Sequence, residues 1–204
     1  MREINILVIA GYGQDADKSP PHRDFIINSA RFGIQMGIKI IYAVGGATNP
    51  DFPDRTEADA TDRVLLEVFR RAFLTPSLLA PRVPVVVLRE GDTSADTLKA
   101  VKREILEHEH KIDTLILACE TSRSAGFLMD SLFVGLSQLA KRIIVYTEPF
   151  PETPEEFERQ KKKLLLKLLS HRSRFFNWLR RLYQKRHQRK VAKTKRKLAS
   201  SPRP

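Results

Sequence analysis

Residues 4–13 of the chain have the sequence INILVIAGYG, an apolar run followed by two glycines. The run is nearly continuous in Val, Ile and Leu, without alternation of polar and apolar side chains. Strands that are buried on both faces have this pattern, which is typical of parallel sheets covered by helices. Residues 4–10 therefore predict a buried parallel strand. The glycines that follow predict a turn in which the backbone can approach another group closely.

Four further apolar runs of the same kind follow along the chain. They occupy residues 38–44, 83–88, 114–118 and 142–147. Between them, apolar residues recur at helical spacing over about residues 22–36, 57–73, 95–110 and 122–139. Alternating strands and helices indicate right-handed crossovers and an open, doubly wound sheet. We therefore expect a Rossmann-like, three-layer α/β/α fold with a five-stranded, mainly parallel sheet.

Residues that can cap a helix precede each of these four helical segments. They are Ser19 before two prolines, Thr56 with Asp59 in a capping-box pattern, Thr93 or Ser94, and Thr121 or Ser122. Such side chains satisfy the N–H groups of a first helical turn, and proline is tolerated there. All of them follow the carboxyl end of a predicted strand. Because ligands bind at that edge in this fold class, the same loops are the candidate binding site.

Length and composition favour one domain inside a reducing compartment. The 204 residues, 42% of them hydrophobic, suffice for one well-buried core and are few for two domains. A single cysteine, Cys119, excludes an internal disulfide framework, and its position in an apolar run predicts a buried thiol. No uninterrupted apolar stretch reaches about 18 residues, so we expect no transmembrane helix and a cytoplasmic protein.

Charge is distributed very unevenly. Residues 159–204 hold 18 of the 36 Lys and Arg residues and none of the 24 Asp and Glu residues. The first 158 residues therefore carry a net charge of −6, and the remainder carries +18. Such asymmetry bears on partners rather than on the fold.

Two glycine-bearing turns follow the first and second predicted strands. Gly11 and Gly13 lie in the first turn, and Gly45 and Gly46 lie in the second. Without side chains, these positions allow backbone N–H groups to approach a phosphate or carboxylate, although a tight turn with no ligand is an equally good interpretation. Glu57 comes soon after the second turn, either as a general base or as an acid favoured by the helix dipole.

Polar clusters follow the third and fourth predicted strands. The third strand is followed by Glu90, Ser94, Asp96 and Thr97, and the fourth by Glu120 and Arg123. Arginine suits bidentate recognition of phosphate or carboxylate, and the carboxylates could serve as general bases. The alternative interpretations are a capped polar loop for the first cluster and an intramolecular ion pair for the second.

Several reaction classes lack their motifs. The sequence contains neither a G-x-S-x-G elbow nor a G-x-x-x-x-G-K-[ST] loop, which argues against a serine hydrolase and a P-loop nucleotidase. The five histidines make no zinc-type pair four residues apart, and no metal site is predicted. If the protein is an enzyme, the candidate catalytic groups are therefore the carboxylates of Glu57, Glu90 and Glu120.

The order of these motifs resembles the YdcF-like (SanA/ElyC-like) family, over about residues 3–147. The resemblance rests on Gly11, Gly13, Arg23 and Ala30, then on Val44-Gly45-Gly46 and Glu57-Ala58, and finally on Glu90, Ser94-Ala95-Asp96-Thr97 and Arg123. It implies a Rossmann-like fold, binding of S-adenosylmethionine or a nucleotide, and in some members a link to cell-envelope assembly. The family's usual His and one Asn are replaced here by Glu120 and Ala100, so the chemistry of the family does not carry over directly.

The sequence predicts three segments: a domain over residues 1–150, an amphipathic basic helix over 151–184, and a basic, disordered segment over 185–204. Thr153 and Pro154 can begin the helix, and acids occupy its first turn. Apolar residues then recur at helical spacing, at Leu165, Leu168, Phe175, Leu179 and Leu182.

Three hypotheses remain open for the tail. In the first, the tail binds peripherally to an anionic membrane surface, at the inner face of the membrane. The side chains that enter the lipid would be Phe175, Phe176, Trp178, Leu179 and Leu182. In the second, it binds nucleic acid through phosphate contacts. In the third, the helix packs on the domain and only the last residues form a solvated basic extension.

The leading hypothesis for the whole chain is binding of a small anionic, nucleotide-like ligand at the sheet edge. The alternative is a non-catalytic module that acts through its tail.

Overall fold

The computed structural model describes residues 3–11, 17–46, 55–74, 83–91, 93–148 and 154–172, together with Trp178, Leu182 and Arg189. The elements follow in strict alternation. They are β1 Ile4–Ala10, α1 Pro20–Gln35, β2 Ile38–Val44, α2 Glu57–Leu74, β3 Val85–Leu88, α3 Ser94–Glu107, β4 Ile112–Glu120, α4 Ser124–Val134, β5 Ala140–Glu148 and α5 Pro154–Arg172. Gly13, Thr153 and the predicted disordered segment, apart from Arg189, lie outside the described residues.

The five strands form one sheet in the order β3-β2-β1-β4-β5, and every neighbouring pair is parallel. The predicted α/β class and the Rossmann-like three-layer arrangement are confirmed, and the sheet is entirely parallel within the described residues. The chain moves outward from β1 through β2 to β3, then returns to β4 on the other side of β1. The gap between the carboxyl ends of β1 and β4 is therefore the topological switch point, where doubly wound proteins bind ligands.

The central strand explains why both faces of the sheet are covered. Along β1, Ile6 and Val8 face one cluster of buried residues, while Leu7 and Ile9 face the other, and all four are 0% exposed. The first cluster includes residues of α3 and α4, and the second includes residues of α1 and α2. Because successive side chains of a strand point to opposite faces, a strand between two helical layers has to be apolar throughout.

The bounds of β3, β4 and β5 differ from the predictions. β1 and β2 have the predicted bounds, whereas β4 and β5 extend beyond the predicted apolar runs. The extension includes the register pair Glu120 and Glu148, which are polar and carry no apolar signal. β3 begins at Val85 rather than at residue 83. Pro84 has no N–H group to donate to the ladder, although its carbonyl accepts a bond from Ile41 at 3.0 Å.

The predicted capping box at the start of α2 is confirmed. The Asp59 N–H donates to Thr56 Oγ1 at 3.1 Å, and the Thr56 N–H donates to Asp59 Oδ2 at 3.3 Å. Thr93 caps α3 in the predicted way, since its hydroxyl accepts from the Asp96 N–H at 3.2 Å. These side chains satisfy N–H groups that the first helical turn leaves without intrahelical partners.

The prediction for the fourth helix was wrong at both ends. Thr121 and Ser122 are not its caps, because they belong to a 3₁₀ turn, Thr121–Arg123, that precedes α4. The helix then ends before Gly135, whose φ of +81° is the left-handed conformation that terminates helices. A second 3₁₀ turn, Leu136–Gln138, buries Leu136, so the leucine spacing continues although the α-helix does not.

Among the described residues, no helix has the length and apolarity required to cross a membrane. α5 packs against α4 and against the 3₁₀ turn Thr121–Arg123. The amino-terminal part of the tail therefore lies on the same side of the molecule as the end of β4.

Candidate functional site

The switch point lies between the carboxyl ends of β1, which Gly11 follows, and β4, whose last residue is Glu120. The two strands are parallel neighbours, in register as far as Ile9 and Ala118. Glu120 is only 2% exposed, although it is an acid at the end of a strand. A buried carboxylate is costly unless a positive or hydrogen-bonding group faces it. The surroundings of Glu120 are therefore the first candidate for a built site.

Arg123 is the charged partner of Glu120. One guanidinium nitrogen, Nη1, lies 3.5 Å from Glu120 Oε1 and 3.4 Å from Oε2. The chain enters a 3₁₀ turn, Thr121–Arg123, directly after Glu120. This turn brings Arg123, three residues after Glu120, back towards the end of β4, which makes the short-range pair possible. Arg123 is 26% exposed, so solvent reaches a guanidinium whose partner is buried. The intramolecular ion pair that the sequence left as an alternative is thus present.

A second polar network flanks this pair on β5. The Tyr146 hydroxyl donates to Glu148 Oε1 at 2.5 Å, and the Thr121 hydroxyl donates to the Glu148 carbonyl at 3.0 Å. Burial, together with the bond to Glu148, raises the pKa of Tyr146 to about 12. Tyr146 and Glu148 were not among the residues predicted from the sequence. Only the parallel register, which pairs Glu120 with Glu148, reveals that these strands end on neighbouring acids.

Cys119 lies directly before Glu120 and is buried. Burial, reinforced by the neighbouring Glu120 carboxylate, raises the pKa of its thiol to about 12. A thiol with this pKa is protonated at neutral pH, whereas nucleophilic catalysis requires the thiolate. The prediction of a buried thiol is confirmed.

The glycines on the other side of the edge have a packing role. A Cβ atom on Gly11 would lie 2.4 Å from Glu57 Cβ, and one on Gly45 would lie 2.8 Å from the same atom. Gly45 also has a φ of +148°, which side chains rarely allow. These two glycines therefore let the first turn of α2 sit against the ends of β1 and β2, with Glu57 between them.

Backbone donors of these turns are engaged within the protein. The Gly11 N–H donates to Val44 O at 2.7 Å, and the Gly45 N–H donates to Leu88 O at 3.2 Å. At the start of α2, the Glu57 N–H donates to Gly46 O at 3.2 Å. The structure thus brings together Gly11, Gly45, Gly46 and Glu57, while their contact with a ligand stays a prediction.

Glu90 has a different setting from the other two candidate carboxylates. It is exposed and pairs with Arg103 of α3, with 2.8 Å between Oε1 and Nη2. The Arg103 guanidinium lowers the pKa of the Glu90 carboxyl, which weakens it as a proton acceptor near neutral pH. Its proposed catalytic role stays a prediction.

The predicted ligand residues around α3 hold the loop and the helix in place. Ser94 donates a short hydrogen bond to Asp130 of α4, which is buried. Asp96 bonds to Thr93 and pairs with Lys99 at 3.0 Å. Buried Thr97 packs so closely on Gly91 that a Cβ there would lie 2.6 Å from Thr97 Oγ1.

Arg23 lies on α1, where it pairs with Glu67 of α2 at 2.8 Å. This bond joins the two helices that cover one face of the sheet. The partner that the structure gives Arg23 within the described residues is therefore Glu67 of the neighbouring helix. A ligand contact of Arg23 stays a prediction.

A groove of about 780 Å³ runs between α3 and α4, on the outer helical layer. Its lining includes Asp96, Lys99, Lys102, Phe133 and Val134. The cationic groups are engaged, since Lys99 pairs with Asp96 and Lys102 Nζ donates to Val134 O at 2.9 Å. Of the site residues predicted from sequence, only Asp96 lines this groove. The groove itself was not predicted, because the predicted site consists of loops at the sheet edge.

Among the residues that the structure describes, no group of three or more His, Cys, Asp and Glu side chains could hold a metal ion. Comparison with protein-family models, with curated proteins and with solved structures finds no match for this chain. The family resemblance that the motif order indicates therefore stays a prediction.

Proposed function

We propose that this protein binds a small anionic, nucleotide-like ligand at the carboxyl edge of its sheet, between β1 and β4. The observation that carries the proposal is the buried Glu120 carboxylate paired with the partly exposed Arg123 guanidinium at the topological switch point. In this proposal Arg123 contacts the anionic group, and Glu120 is a positioning residue that holds the guanidinium in place.

The charge arrangement supports this division of roles. Arginine presents five N–H donors in a planar fork, and its Nη1 atom lies 3.5 Å from Glu120 Oε1 and 3.4 Å from Oε2. Because the Arg123 side chain is 26% exposed, a phosphate or carboxylate can approach the guanidinium from the solvent side and accept hydrogen bonds from it. Specific hydrogen bonds of this kind, in a partly desolvated place, give both affinity and orientation.

The second half of the proposed site is Glu57. Gly11 and Gly45 leave it at the ends of β1 and β2, where its carboxylate can accept from hydroxyl or amino groups of a ligand. S-adenosylmethionine, which the YdcF-like resemblance implies, has a carboxylate that suits Arg123 and an ammonium that suits Glu57. A nucleotide offers a phosphate and ribose hydroxyls to the same two residues.

The proposal is one of binding and assigns no reaction. The YdcF-like family membership, its link to cell-envelope assembly and a cytoplasmic location, which the single buried cysteine favours, belong to the same proposal. A catalytic role for Glu57 or Glu120 would follow only from a ligand whose reacting atoms they touch.

Thermal denaturation of the full chain in the presence of AMP, ADP, ATP and S-adenosylmethionine tests the proposal. A ligand at about 100 times its Kd stabilises a protein by about 2.7 kcal/mol, which raises the Tm of a chain this long by several degrees. We expect at least one of these ligands to do so for the wild type. We expect Arg123→Gln and Glu57→Gln to lose most of the shift, each measured from its own unliganded Tm.

The matched control is Arg103→Gln, which removes an exposed arginine from the outer side of α3. It should keep the full ligand-induced shift. A wild type that none of the four ligands stabilises, or an Arg123→Gln protein that responds as the wild type does, would contradict the proposal.

A further inference from the structure

α5 exposes apolar side chains along one stripe. Phe157, Leu165 and Leu168 are 45%, 57% and 49% exposed. With Lys161 they are spaced by four, four and three residues, which places them on one face of a helix. Lys161 Nζ lies 4.6 Å from the centre of the Phe157 ring, so the basic and apolar groups are interleaved on that face.

Packing on the domain does not account for this stripe. α5 contacts α4 and the 3₁₀ turn Thr121–Arg123, and its half-buried leucines are Leu164, Leu166 and Leu169. Among the described residues, the contacts of α5 therefore leave about half of each side chain of the Phe157, Leu165 and Leu168 stripe exposed. Further along the chain, Trp178 and Leu182 are also helical and are 55% and 40% exposed.

The charge of the same segment indicates what covers the stripe. Residues 159–204 carry 18 Lys and Arg and no Asp or Glu, and Lys161, Lys162 and Lys163 of α5 are exposed. Interfacial helices that bind anionic bilayers combine such a basic face with Trp, Phe and Leu. Each Lys or Arg near such a surface contributes about a fivefold gain in affinity.

Two other occupants fit less well. Nucleic acid would use the Lys and Arg residues through phosphate contacts, but it gives exposed leucines no apolar surroundings. A second copy of the chain would bring together two segments of +18 that repel each other. A lipid surface accommodates both the charge and the leucines.

We infer that α5 and the basic segment after it bind the surface of an anionic lipid bilayer. Leu165 and Leu168 enter the interface, and the Lys and Arg residues contact the headgroups. Because α5 packs on the turn that contains Arg123, this docking holds the carboxyl edge of the sheet close to the membrane. The inference does not depend on the ligand proposed for that edge.

Vesicle binding of the full chain tests the inference, with the single tryptophan as reporter. Phosphatidylcholine vesicles with about 30% phosphatidylserine should shift the Trp178 emission to the blue and carry the protein into the pellet, whereas pure phosphatidylcholine should do neither. Leu165→Ser with Leu168→Ser should weaken sedimentation about tenfold or more, because apolar burial in the interface is lost. Both positions are exposed, so the fold should persist, as far-UV circular dichroism will show.

The matched control is Leu106→Ser with Leu132→Ser, which removes two exposed leucines from α3 and α4. These changes should leave vesicle binding unaltered. Absence of an emission shift with anionic vesicles would overturn the inference. So would equal vesicle binding by the Leu165/Leu168 variant, or tight duplex DNA binding by a chain that leaves vesicles unbound. Dimerisation abolished by the same variant, without any vesicle binding, would assign the stripe to a second copy instead.

Discussion

The two halves of the carboxyl edge of the sheet are packed in opposite ways, one by glycines and the other by charged and hydroxyl side chains. On the β1–β2 side, Gly11 and Gly45 remove side chains so that the start of α2 can approach, and the backbone groups bond to one another. On the β4–β5 side, charged and hydroxyl side chains are retained and partly buried, in the Glu120–Arg123 pair and the Tyr146–Glu148 bond. In the β1–β2 half, the absence of glycine side chains therefore determines how closely α2 packs against the strand ends. The β4–β5 half is a charged cluster, in which the buried Glu120 carboxylate has the Arg123 guanidinium as a charged partner.

Loss of Arg123 should be the largest single effect on stability. Arg123→Met removes the guanidinium that faces the buried Glu120 carboxylate, and breaking a buried pair from one side costs about 3 kcal/mol. Urea denaturation measures the loss. The double variant Glu120→Gln with Arg123→Met should recover most of it, since no charge remains to be compensated. If the double variant is as unstable as Arg123→Met alone, the ion pair is not the source of the effect.

Crowding of the glycine half should come next. Gly11→Ala places a Cβ 2.4 Å from Glu57 Cβ and 2.9 Å from its backbone carbon, so α2 has to move. We expect a loss of about 2 kcal/mol, typical of overpacking. Gly37→Ala is the control, because its Cβ meets nothing within 4 Å although its φ is +69°. That variant should lose only about 1 kcal/mol, through backbone strain alone. Equal losses in the two variants would remove the packing explanation.

The α3 cap should have a smaller effect. Thr93→Ala removes the hydroxyl that accepts from the Asp96 N–H and donates to the Asp96 carboxylate, and it should cost about 1 kcal/mol. Thr93→Ser keeps the hydroxyl and should stay close to the wild type in the same urea titration. A Ser variant as unstable as the Ala variant would indicate that the methyl group matters, rather than the cap.

The reactivity of the Cys119 thiol tests, without a mutation, whether the thiol is buried beside the Glu120 carboxylate. Because burial and the Glu120 carboxylate raise the thiol pKa to about 12, the thiol should not react with a disulfide reagent at pH 8 in the folded protein. In urea it should react at the rate of an ordinary thiol, whose pKa is about 8.5. Fast labelling of the folded chain would show that the end of β4 is open to solvent.

The smallest effect is expected at Glu90. Its pKa is lowered by Arg103, so any stabilisation is present above the ordinary pKa of a glutamate and is lost as pH falls through the lowered value. The pair is exposed, and solvent screens it. Glu90→Gln should therefore leave the urea midpoint at pH 7 within error. A clear loss there would place Glu90 in a more buried environment than the one described.

The sequence predicted the fold well because the core strands carry a continuous apolar signal. β1 and β2 were predicted with their observed bounds, since both faces of each strand are buried. The fourth helix was predicted too long, because Leu136 continues the leucine spacing from a 3₁₀ turn after Gly135. Periodicity reports burial, and a left-handed glycine can end the helix without ending the burial.

Predictions of the site were less complete, because they concern side-chain partners. Glu120 and Arg123 are three residues apart, so their pairing could be considered from sequence alone. The Tyr146–Glu148 network, next to the end of β4, required the register of β4 against β5. The partner of Glu90 lies on a different element, 13 residues away. Sequence placed the predicted polar groups after the carboxyl ends of strands, and tertiary structure determined which of them face each other.

A crystal structure of the chain with the nucleotide or S-adenosylmethionine that stabilises it most would test the central claim directly. The account predicts the anionic group of the ligand within hydrogen-bond distance of the Arg123 guanidinium, between the ends of β1 and β4. A ligand bound elsewhere, such as in the groove beside Lys99 and Lys102, with Arg123 in contact only with Glu120, would contradict it.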